Sequence, residues 1–235
     1  MSNSQARPPR LSTVVADQIQ KELFDDHLQP GDRLPTEAEL SERYQVSRSV
    51  VREAGRILDQ RGLVDIRPGR GMIVAPPDGS RIVEQYEIIL GMNRASFAQL
   101  METRLVIEVE IARLAAARRS GELVEAMRAT IERAAAHPDD YTVCMDEDVR
   151  FHELMSQASG NPFFAFFIDP VNTCLRNSYT EVRGYLAAQP ATLAEHREIL
   201  DAIERGDADG ARAAARNHLT RVVEQQATLV PKETD

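Results

Sequence analysis

The chain has 235 residues, of which 43% are hydrophobic and 28% charged, proportions typical of a globular protein with one large or two small domains. It contains no apolar run near the ~18 residues that a membrane-spanning helix needs, and its opening, MSNSQARPPRLS, lacks the apolar core of a secretory signal peptide. Since only Cys144 and Cys174 carry thiols, we expect no disulfide framework and a reducing, cytoplasmic location.

Charge is distributed unevenly along the chain. The net charge is −9, from 28 Lys/Arg and 37 Asp/Glu. Residues 1–77 carry 11 basic and 11 acidic side chains, whereas residues 78–235 carry 17 basic and 26 acidic ones. Between Ser47 and Gly71, six arginines stand against three acids. Such a local basic stripe suits a DNA contact surface, although a solvated helix face would have the same composition.

The first part of the chain contains short elements with clear boundaries. The segment LSTVVADQIQKELFDDHL has apolar residues at helical spacing and ends at the turn signal QPGDRLP. Thr36 followed by Glu39 predicts a capping box, and Ser47 is predicted to cap a further helix that ends before Gly62. Two β-branched runs, LVDIR and MIVA, flank PGRG and predict a hairpin. This order predicts a winged helix-turn-helix over residues 10–76.

A Pro/Gly/Ser-rich stretch, APPDGS, then predicts a linker over residues 77–82. Residues 83–228 contain no strand-like segment and predict six or seven helices, with breaks at GMNRAS, RRSGE, HPDD, SGNP, AAQPA and RGDADG. We therefore predict a mostly α protein in which the winged helix-turn-helix precedes an all-α bundle. Residues 1–9 are predicted to form a disordered tail and residues 229–235 a second tail.

Four side chains of the second domain have a spacing that suits metal binding. In DVRFH, Asp148 and His152 lie four residues apart, so a helix places them on one face. His196 in LAEHREILDAI and His218 in AAARNHLTRVV belong to two later helices. If these helices pack side by side, one carboxylate and three imidazoles converge in the bundle, a set that suits Zn, Ni, Mn or Fe(II). Taken singly, each histidine could equally be an ordinary buried or exposed residue.

Together these motifs resemble the GntR family of bacterial transcription regulators, and within it the FadR-type subfamily with an FCD effector domain. The resemblance is carried by LQPGDRLPTEAELSERYQVSRSVVREAGRILDQRGLVDIRPGRGMIVA at the front and by DVRFH, EHREILDAIERGD and NHL at the back. It covers roughly residues 10 to 228. It implies a homodimer that binds a pseudo-palindromic double-stranded DNA operator and responds to a small carboxylate. It also implies that Asp148, His152, His196 and His218 are the ligands of a divalent transition metal.

The residues that would contact DNA follow from the same motif. A recognition helix presents its N-terminal residues to base edges in the major groove, and arginine can bind guanine in a bidentate manner. The family pattern implies base and phosphate contacts from this helix, contacts near the minor groove from the wing tip, and an approach to the DNA backbone at the start of the preceding helix. The implied set is Thr36, Glu37, Ser47, Arg48, Ser49, Arg52, Gly69 and Arg70. Where the family commonly has a further arginine, this chain has Ala38, so we expect a different affinity or operator sequence.

Two other residues near the predicted metal site have alternative roles. The resemblance implies that Arg104 binds the effector, because FCD proteins carry an arginine on this helix at the effector pocket; it could instead form an ordinary ion pair with Glu108, four residues later. Cys144 lies one turn before Asp148 and could be a redox-sensitive neighbour of the metal or simply a small buried apolar residue.

Three functions compete at this stage. The first is a ligand-responsive repressor or activator whose effector is a small organic acid held partly by the metal. The second is a metal-dependent hydrolase with an appended DNA-binding domain, which would use a metal-activated water. The sequence shows no clear general base, Gly-rich phosphate loop or nucleophile motif to support an enzyme. The third is a regulator whose metal is purely structural.

Overall fold

The structure is a computed structural model, and it describes residues 9–76, 79–92, 96–178 and 182–229. Most of the predicted tails (residues 1–8 and 230–235) and residues 77–78 of the predicted linker lie outside these ranges. The chain divides into two compact units between Asp78 and Gly79. Each helix of the described residues is too short or too polar to cross a membrane.

The N-terminal unit is a winged helix-turn-helix, as predicted. Its elements are α1 (Leu11–Asp25), α2 (Glu37–Arg43), α3 (Arg48–Gln60), β1 (Val64–Arg67) and β2 (Gly71–Val74). The strands pair antiparallel, with Val64 opposite Val74 and Arg67 opposite Gly71. The packing of α1, α2 and β1 against α3 buries Ile19, Leu40 and Leu58, which removes the apolar face of α3 from water and fixes its polar face toward solvent.

The local signals of this unit have mixed outcomes. The predicted capping box is present at α2, where the Thr36 hydroxyl accepts a hydrogen bond from the Glu39 backbone N–H and the Glu39 side chain accepts one from the Thr36 N–H. Gly62, with φ of 73°, directly follows the last residue of the α3 cap, as predicted. Ser47 is the N-cap residue of α3, as predicted, but its hydroxyl forms no capping bond and instead lies 2.8 Å from the Ser49 hydroxyl.

The second unit is entirely helical in its described residues. Its helices are α4 (Ser80–Gly91), α5 (Phe97–Arg118), α6 (Gly121–Ala136), α7 (Tyr141–Ala158), α8 (Pro162–Ser178), α9 (Val182–Arg205) and α10 (Ala208–Leu229). Helix α4 thus begins inside the segment predicted as a linker. The mostly α fold class predicted from the sequence is confirmed by both units.

The predicted helix break at AAQPA is wrong, because α9 continues through Pro190. Proline lacks an N–H and normally weakens a helix interior. Here the neighbouring Gln189 and Thr192 are buried, and α9 packs against α5, α6, α7 and α10. Tertiary packing therefore outweighs the local breaking signal, and α9 stays continuous up to the turn that carries His196.

Helices α5, α7, α9 and α10 meet at the centre of the helical unit. The main apolar core there includes Ile111, Met127, Phe151 and Ile199, all with side chains shielded from solvent. A polar cluster lies among these apolar residues, and its members are Arg104, Glu108, His152, His196 and His218. Because burying charge without partners is costly, the contacts within this cluster determine whether the fold tolerates it.

Candidate DNA-binding surface and metal centre

The recognition-helix residues singled out from the sequence lie on one exposed end of the N-terminal unit. Ser47 precedes α3, Arg48 is its first residue and Arg52 follows one turn later; all three are exposed. The wing tip, with Gly69 and Arg70, is exposed as well. This arrangement presents cationic side chains at a helix N-terminus, where the helix dipole also favours phosphate.

The arginines of this surface differ in their partners. The Arg52 Nε lies 2.8 Å from the Glu37 Oε2, so the guanidinium is held against the start of α2. Arg48 and Arg70 form no side-chain ion pair or hydrogen bond within the described ranges. From the sequence, Glu37 was expected only to lie near the DNA backbone, at the start of α2. Its carboxylate instead positions Arg52, a role that a spacing of fifteen residues does not reveal.

In the helical unit, three of the four predicted metal ligands converge. His152 on α7, His196 on α9 and His218 on α10 are each at most 2% exposed. One ring nitrogen from each lies within 4.8 Å of the others. The ring of Phe151 stacks on His196 with centroids 4.1 Å apart, which restricts the rotation of that imidazole.

Asp148, the fourth predicted ligand, lies beside this cluster. Its Oδ1 is 3.4 Å from the His196 Nε2, yet the two atoms form no hydrogen bond with each other. These two atoms and the His152 Nε2 are buried without a hydrogen-bond partner in the described part of the chain. Two ligands held 2.0–2.2 Å from one tetrahedral ion lie roughly 3.3–3.6 Å apart. The unpaired atoms, their separation and their donor chemistry therefore fit a divalent transition metal.

One side of the cluster is bounded by a buried chain of charges on α5. The Arg104 Nε donates to the Glu108 Oε1 at 2.5 Å, and the other carboxylate oxygen of Glu108 accepts from the His152 Nδ1. Arg104 is 2% exposed and Glu108 is fully buried. The ion pair considered from the sequence as an alternative role for Arg104 therefore exists, and it leads directly to a predicted metal ligand.

A second chain of the same composition bounds the other side. The Glu195 Oε2 accepts from the His218 Nδ1 at 2.7 Å, and the Arg221 Nε donates to the Glu195 Oε1 at 2.6 Å. Arg221 also donates to the Thr192 hydroxyl at 2.9 Å and to the Gln225 amide oxygen at 2.7 Å. This chain connects α9 to α10 and is about one-fifth exposed at Arg221 and Glu195.

The electrostatics of the cluster favour neutral imidazoles at His196 and His218 and an ionised carboxylate at Glu108. Burial lowers the pKa of His196 well below its usual value, and the neighbouring His218 and His152 lower it further. Burial also lowers the pKa of His218, against the opposing effect of Glu195. For Glu108, burial would raise the pKa, but Arg104 and His152 outweigh it and bring the pKa to about 2. Neutral imidazole and carboxylate are the forms that ligate a metal.

A cavity of about 30 Å³ opens beside the cluster. Its wall includes Asp148, His218, Arg104 and Arg221. The volume is sufficient for one or two water-sized groups, and the wall offers both anionic and cationic side chains. Arg104 therefore lines the cavity while its Nε remains bound to Glu108.

Sequence reasoning missed the carboxylates that hold the histidines. Glu195 directly precedes His196, and Arg221 follows His218 by three residues and so lies on the same helical face. Glu108 lies in the largely apolar run LVIEVEIARL, where a buried acid requires a partner.

Cys144 is fully buried, and burial raises the pKa of its thiol, with Asp140 and Asp148 adding to the shift. These features fit the small buried apolar residue considered above, because a raised pKa disfavours the reactive thiolate.

Comparison with known families accounts for nearly the whole chain. Residues 11–74 match the bacterial regulatory proteins of the gntR family, and residues 99–221 match the FCD domain. The second match contains Arg104, Asp148 and all three clustered histidines.

Individual proteins are similar over most of their length. The HTH-type transcriptional regulator LutR of Bacillus subtilis is 30% identical over 205 residues, which cover 85% of this chain and 94% of LutR. The galactonate operon transcriptional repressor of Escherichia coli is 28% identical, with 83% of this chain and 87% of the repressor covered. Among solved structures, a GntR protein of Streptococcus agalactiae superposes with a TM-score of 0.74 at 25% identity and covers 91% of this chain and 99% of its own.

Proposed function

Because this chain belongs to the gntR family of bacterial regulatory proteins and carries an FCD domain, we propose that it is a cytoplasmic, homodimeric regulator whose operator affinity depends on a metal and a small carboxylate. That it is a transcriptional regulator and not an enzyme follows from the family itself. The hydrolase considered from the sequence has no support among the related proteins.

The observation that carries the proposal is the group of unpaired buried atoms at the histidine cluster. The metal would be held by Asp148, His152, His196 and His218. When bound, it supplies a positive charge and open coordination positions for an oxygen ligand. His152 and Asp148 come from α7, whereas His196 and His218 come from α9 and α10. The metal would thus tie together three helices of the effector domain.

The charge balance of the cavity supports an anionic effector. Three carboxylates (Asp148, Glu108 and Glu195) and two guanidiniums (Arg104 and Arg221) lie around the histidine cluster and its cavity, and together they contribute a formal charge of −1. A divalent cation changes this to +1, which favours one carboxylate group. We assign Arg104 as the residue that binds the carboxylate of the effector, since its side chain lines the cavity. Without the metal, the cavity should repel the same acid.

In the N-terminal unit, the start of the recognition helix would enter the major groove with Ser47, Arg48, Ser49 and Arg52. The start of the preceding helix, with Thr36 and Glu37, would lie near the DNA backbone, and the wing tip, with Gly69 and Arg70, near the minor groove. Among the described residues, Arg48 and Arg70 have no side-chain partner to give up on contacting DNA, whereas Arg52 is oriented by Glu37. A two-fold symmetric dimer requires two half-sites, so the operator should be a short pseudo-palindrome.

The test has two stages. Selection from a randomised duplex library should yield an inverted repeat, and light scattering should show a dimer at micromolar concentration. Native mass spectrometry of the protein as purified should then show one metal per protomer. Operator titrations at fixed salt, with a panel containing acetate, lactate and galactonate, should give an affinity change only in metal-loaded protein; galactonate is included because of the operon named for one relative.

Each stage can contradict a different part of the proposal. A monomer with and without DNA, or a selected site without symmetry, would rule out the dimer. Metal that binds while no acid of the panel alters operator affinity would favour a purely structural metal. Failure to bind Zn²⁺, Ni²⁺, Mn²⁺ or Fe²⁺ would rule out the proposed role of the histidines.

A further inference from the structure

The two Arg–Glu–His chains have the same order and end on different histidines of the cluster. In each, one carboxylate oxygen accepts from the Nε of an arginine and the other accepts from the Nδ1 of a histidine; at Glu195 this second oxygen also accepts from the Arg221 Nη2 at 2.5 Å. His196 differs, since within the described residues no carboxylate contacts its Nδ1, and its ring stacks on Phe151. We propose that Glu108 and Glu195 are positioning residues for the metal site, which hold His152 and His218 in the Nδ1–H tautomer and direct their Nε2 atoms toward the metal. This inference rests on the proposed function.

The argument begins with hydrogen-bond chemistry. A carboxylate that is paired with arginine can only accept hydrogen bonds, so the Nδ1 that it contacts must carry the proton. A neutral imidazole has a single N–H, and its other nitrogen then has a free lone pair. The His152 Nε2 is indeed buried without a partner in the described residues. A histidine held in this way is both oriented and made a stronger donor to a metal.

The arginines explain why these carboxylates can remain charged. Glu108 is fully buried, and a carboxylate buried without a partner would be costly. The guanidinium of Arg104 compensates its charge, and Arg221 does so for Glu195. Each arginine therefore acts on the metal ligand indirectly. Its glutamate and then the histidine lie between the guanidinium and the proposed ion.

The two chains also differ in a way that helps the experiment. The Arg104 chain is almost completely buried, so a change at Glu108 leaves a guanidinium without a counter-charge and endangers folding. The Arg221 chain retains one-fifth exposure, and Arg221 keeps its bonds to Thr192 and Gln225 when the charge of Glu195 is removed. Glu195→Gln is therefore the primary variant and Glu108→Gln the second.

A matched control exists on α5. Glu110 lies two residues from Glu108 and pairs with two arginines, Arg113 at 2.8 Å and Arg212 at 2.5 Å. No hydrogen bond or ion pair joins it to a histidine within the described residues. Glu110→Gln thus removes an arginine-paired carboxylate from the same unit without touching the cluster.

The experiment measures two properties of the full-length protein. Long-range ¹H–¹⁵N spectra of metal-free protein report the tautomer of each histidine, and calorimetric titration with Zn²⁺ reports metal affinity. In the wild type, His152 and His218 should be Nδ1–H tautomers. Glu195→Gln should alter the ¹⁵N shifts of His218 alone and weaken Zn²⁺ binding by roughly 10- to 100-fold. Glu108→Gln should alter the ¹⁵N shifts of His152 and weaken Zn²⁺ binding by a similar factor. Glu110→Gln should change neither the histidine shifts nor the Zn²⁺ affinity.

The outcomes separate this inference from the proposed function. If wild-type protein binds Zn²⁺ but Glu195→Gln keeps the His218 tautomer and an affinity within twofold of the wild type, the positioning role is overturned while the metal function stands. If His218 or His152 of the wild type is the Nε2–H tautomer, the positioning role fails for that residue. Wild-type protein that binds no Zn²⁺ overturns the proposed metal function and the inference together.

Discussion

The ion pairs of the N-terminal unit differ sharply in exposure from the Arg104–Glu108 pair at the histidine cluster of the helical unit. In the N-terminal unit, the paired arginines Arg43, Arg52, Arg56, Arg61 and Arg67 keep between 33% and 73% of their side-chain surface exposed. In the helical unit, Arg104 and Glu108 keep 2% and none. Exposed pairs contribute about 0–1 kcal/mol and are screened by salt, so their arginines can exchange an acid for a phosphate at little cost. The buried pair cannot exchange partners in this way and instead fixes the geometry around one site.

The largest expected effect comes from breaking the buried pair. Within the described residues, Arg104→Ala leaves the buried Glu108 carboxylate with only His152 as a hydrogen-bond partner, and should lower the free energy of unfolding by about 3–5 kcal/mol. The matched control is Arg113→Ala, which breaks a partly exposed pair on the same helix and should cost less than about 1 kcal/mol. Urea unfolding followed by circular dichroism measures both. Equal losses in the two variants would contradict the contrast between exposed and buried pairs.

Metal removal should have the next largest effect, and only in the helical unit. Metal that binds only the folded state stabilises it by about 4 kcal/mol at a thousandfold excess over Kd, which corresponds to a shift in Tm of roughly 8–16 °C for a unit of this size. His218→Ala should abolish the shift caused by Zn²⁺, whereas His137→Ala, which alters an exposed histidine outside the cluster, should preserve it. Thermal scans with Zn²⁺ or with chelator test this. A shift that survives in His218→Ala would place the metal elsewhere.

The sequence predicts the two units with unequal completeness. For the winged helix-turn-helix, capping, turn and strand signals are local, and the capping box at Thr36 and the hairpin after Gly62 are where they were expected. Ser47 is an exception, because its hydroxyl can bond to Ser49 in place of the backbone. The AAQPA error has the opposite origin: Pro190 is a strong local signal, but contacts with distant helices decide the outcome.

For the histidine cluster, the sequence predicts the ligands but not their supports. The spacing of Asp148 and His152 and the motifs around His196 and His218 were sufficient to group them. The bonds from Glu108 to His152 and from Glu195 to His218 span 44 and 23 residues, and no local pattern indicates such pairings. Only the fold brings α5 beside α7 and α9 beside α10. Buried acids in apolar runs are therefore the signal to examine in similar sequences.

A smaller effect is expected from the exposed cations of the recognition helix, and it should concern DNA binding alone. Arg48→Ala should lower operator affinity by about 1–3 kcal/mol, because a bidentate base contact is lost. It should leave Tm unchanged, because the Arg48 side chain forms no ion pair or hydrogen bond with the other described residues. Arg56→Ala, on the same helix but outside the predicted contacts, should bind DNA nearly as well as the wild type. Operator titrations at one salt concentration measure the difference. Undiminished affinity of Arg48→Ala would exclude the proposed docking of α3.

The smallest effect concerns Asp169 in the helical unit. Unlike Glu108, it forms no ion pair with an arginine within the described residues. Partial burial raises the pKa of Asp169 to about 6; Glu153 adds to this shift, and Arg150 opposes it. Between the ordinary pKa near 3.8 and about 6, the unfolded chain ionises while the folded protein retains the proton, so stability falls as pH rises through this window and the loss is complete above pH 6.

Asp169→Asn should therefore stabilise the protein at pH 7 and have no effect near pH 3.5. Because Asp169 is an exposed residue, solvent screening should keep the gain below about 1 kcal/mol. Unfolding free energies of both proteins at the two pH values provide the test, and a gain at pH 3.5 equal to that at pH 7 would show that ionisation of Asp169 is not its cause.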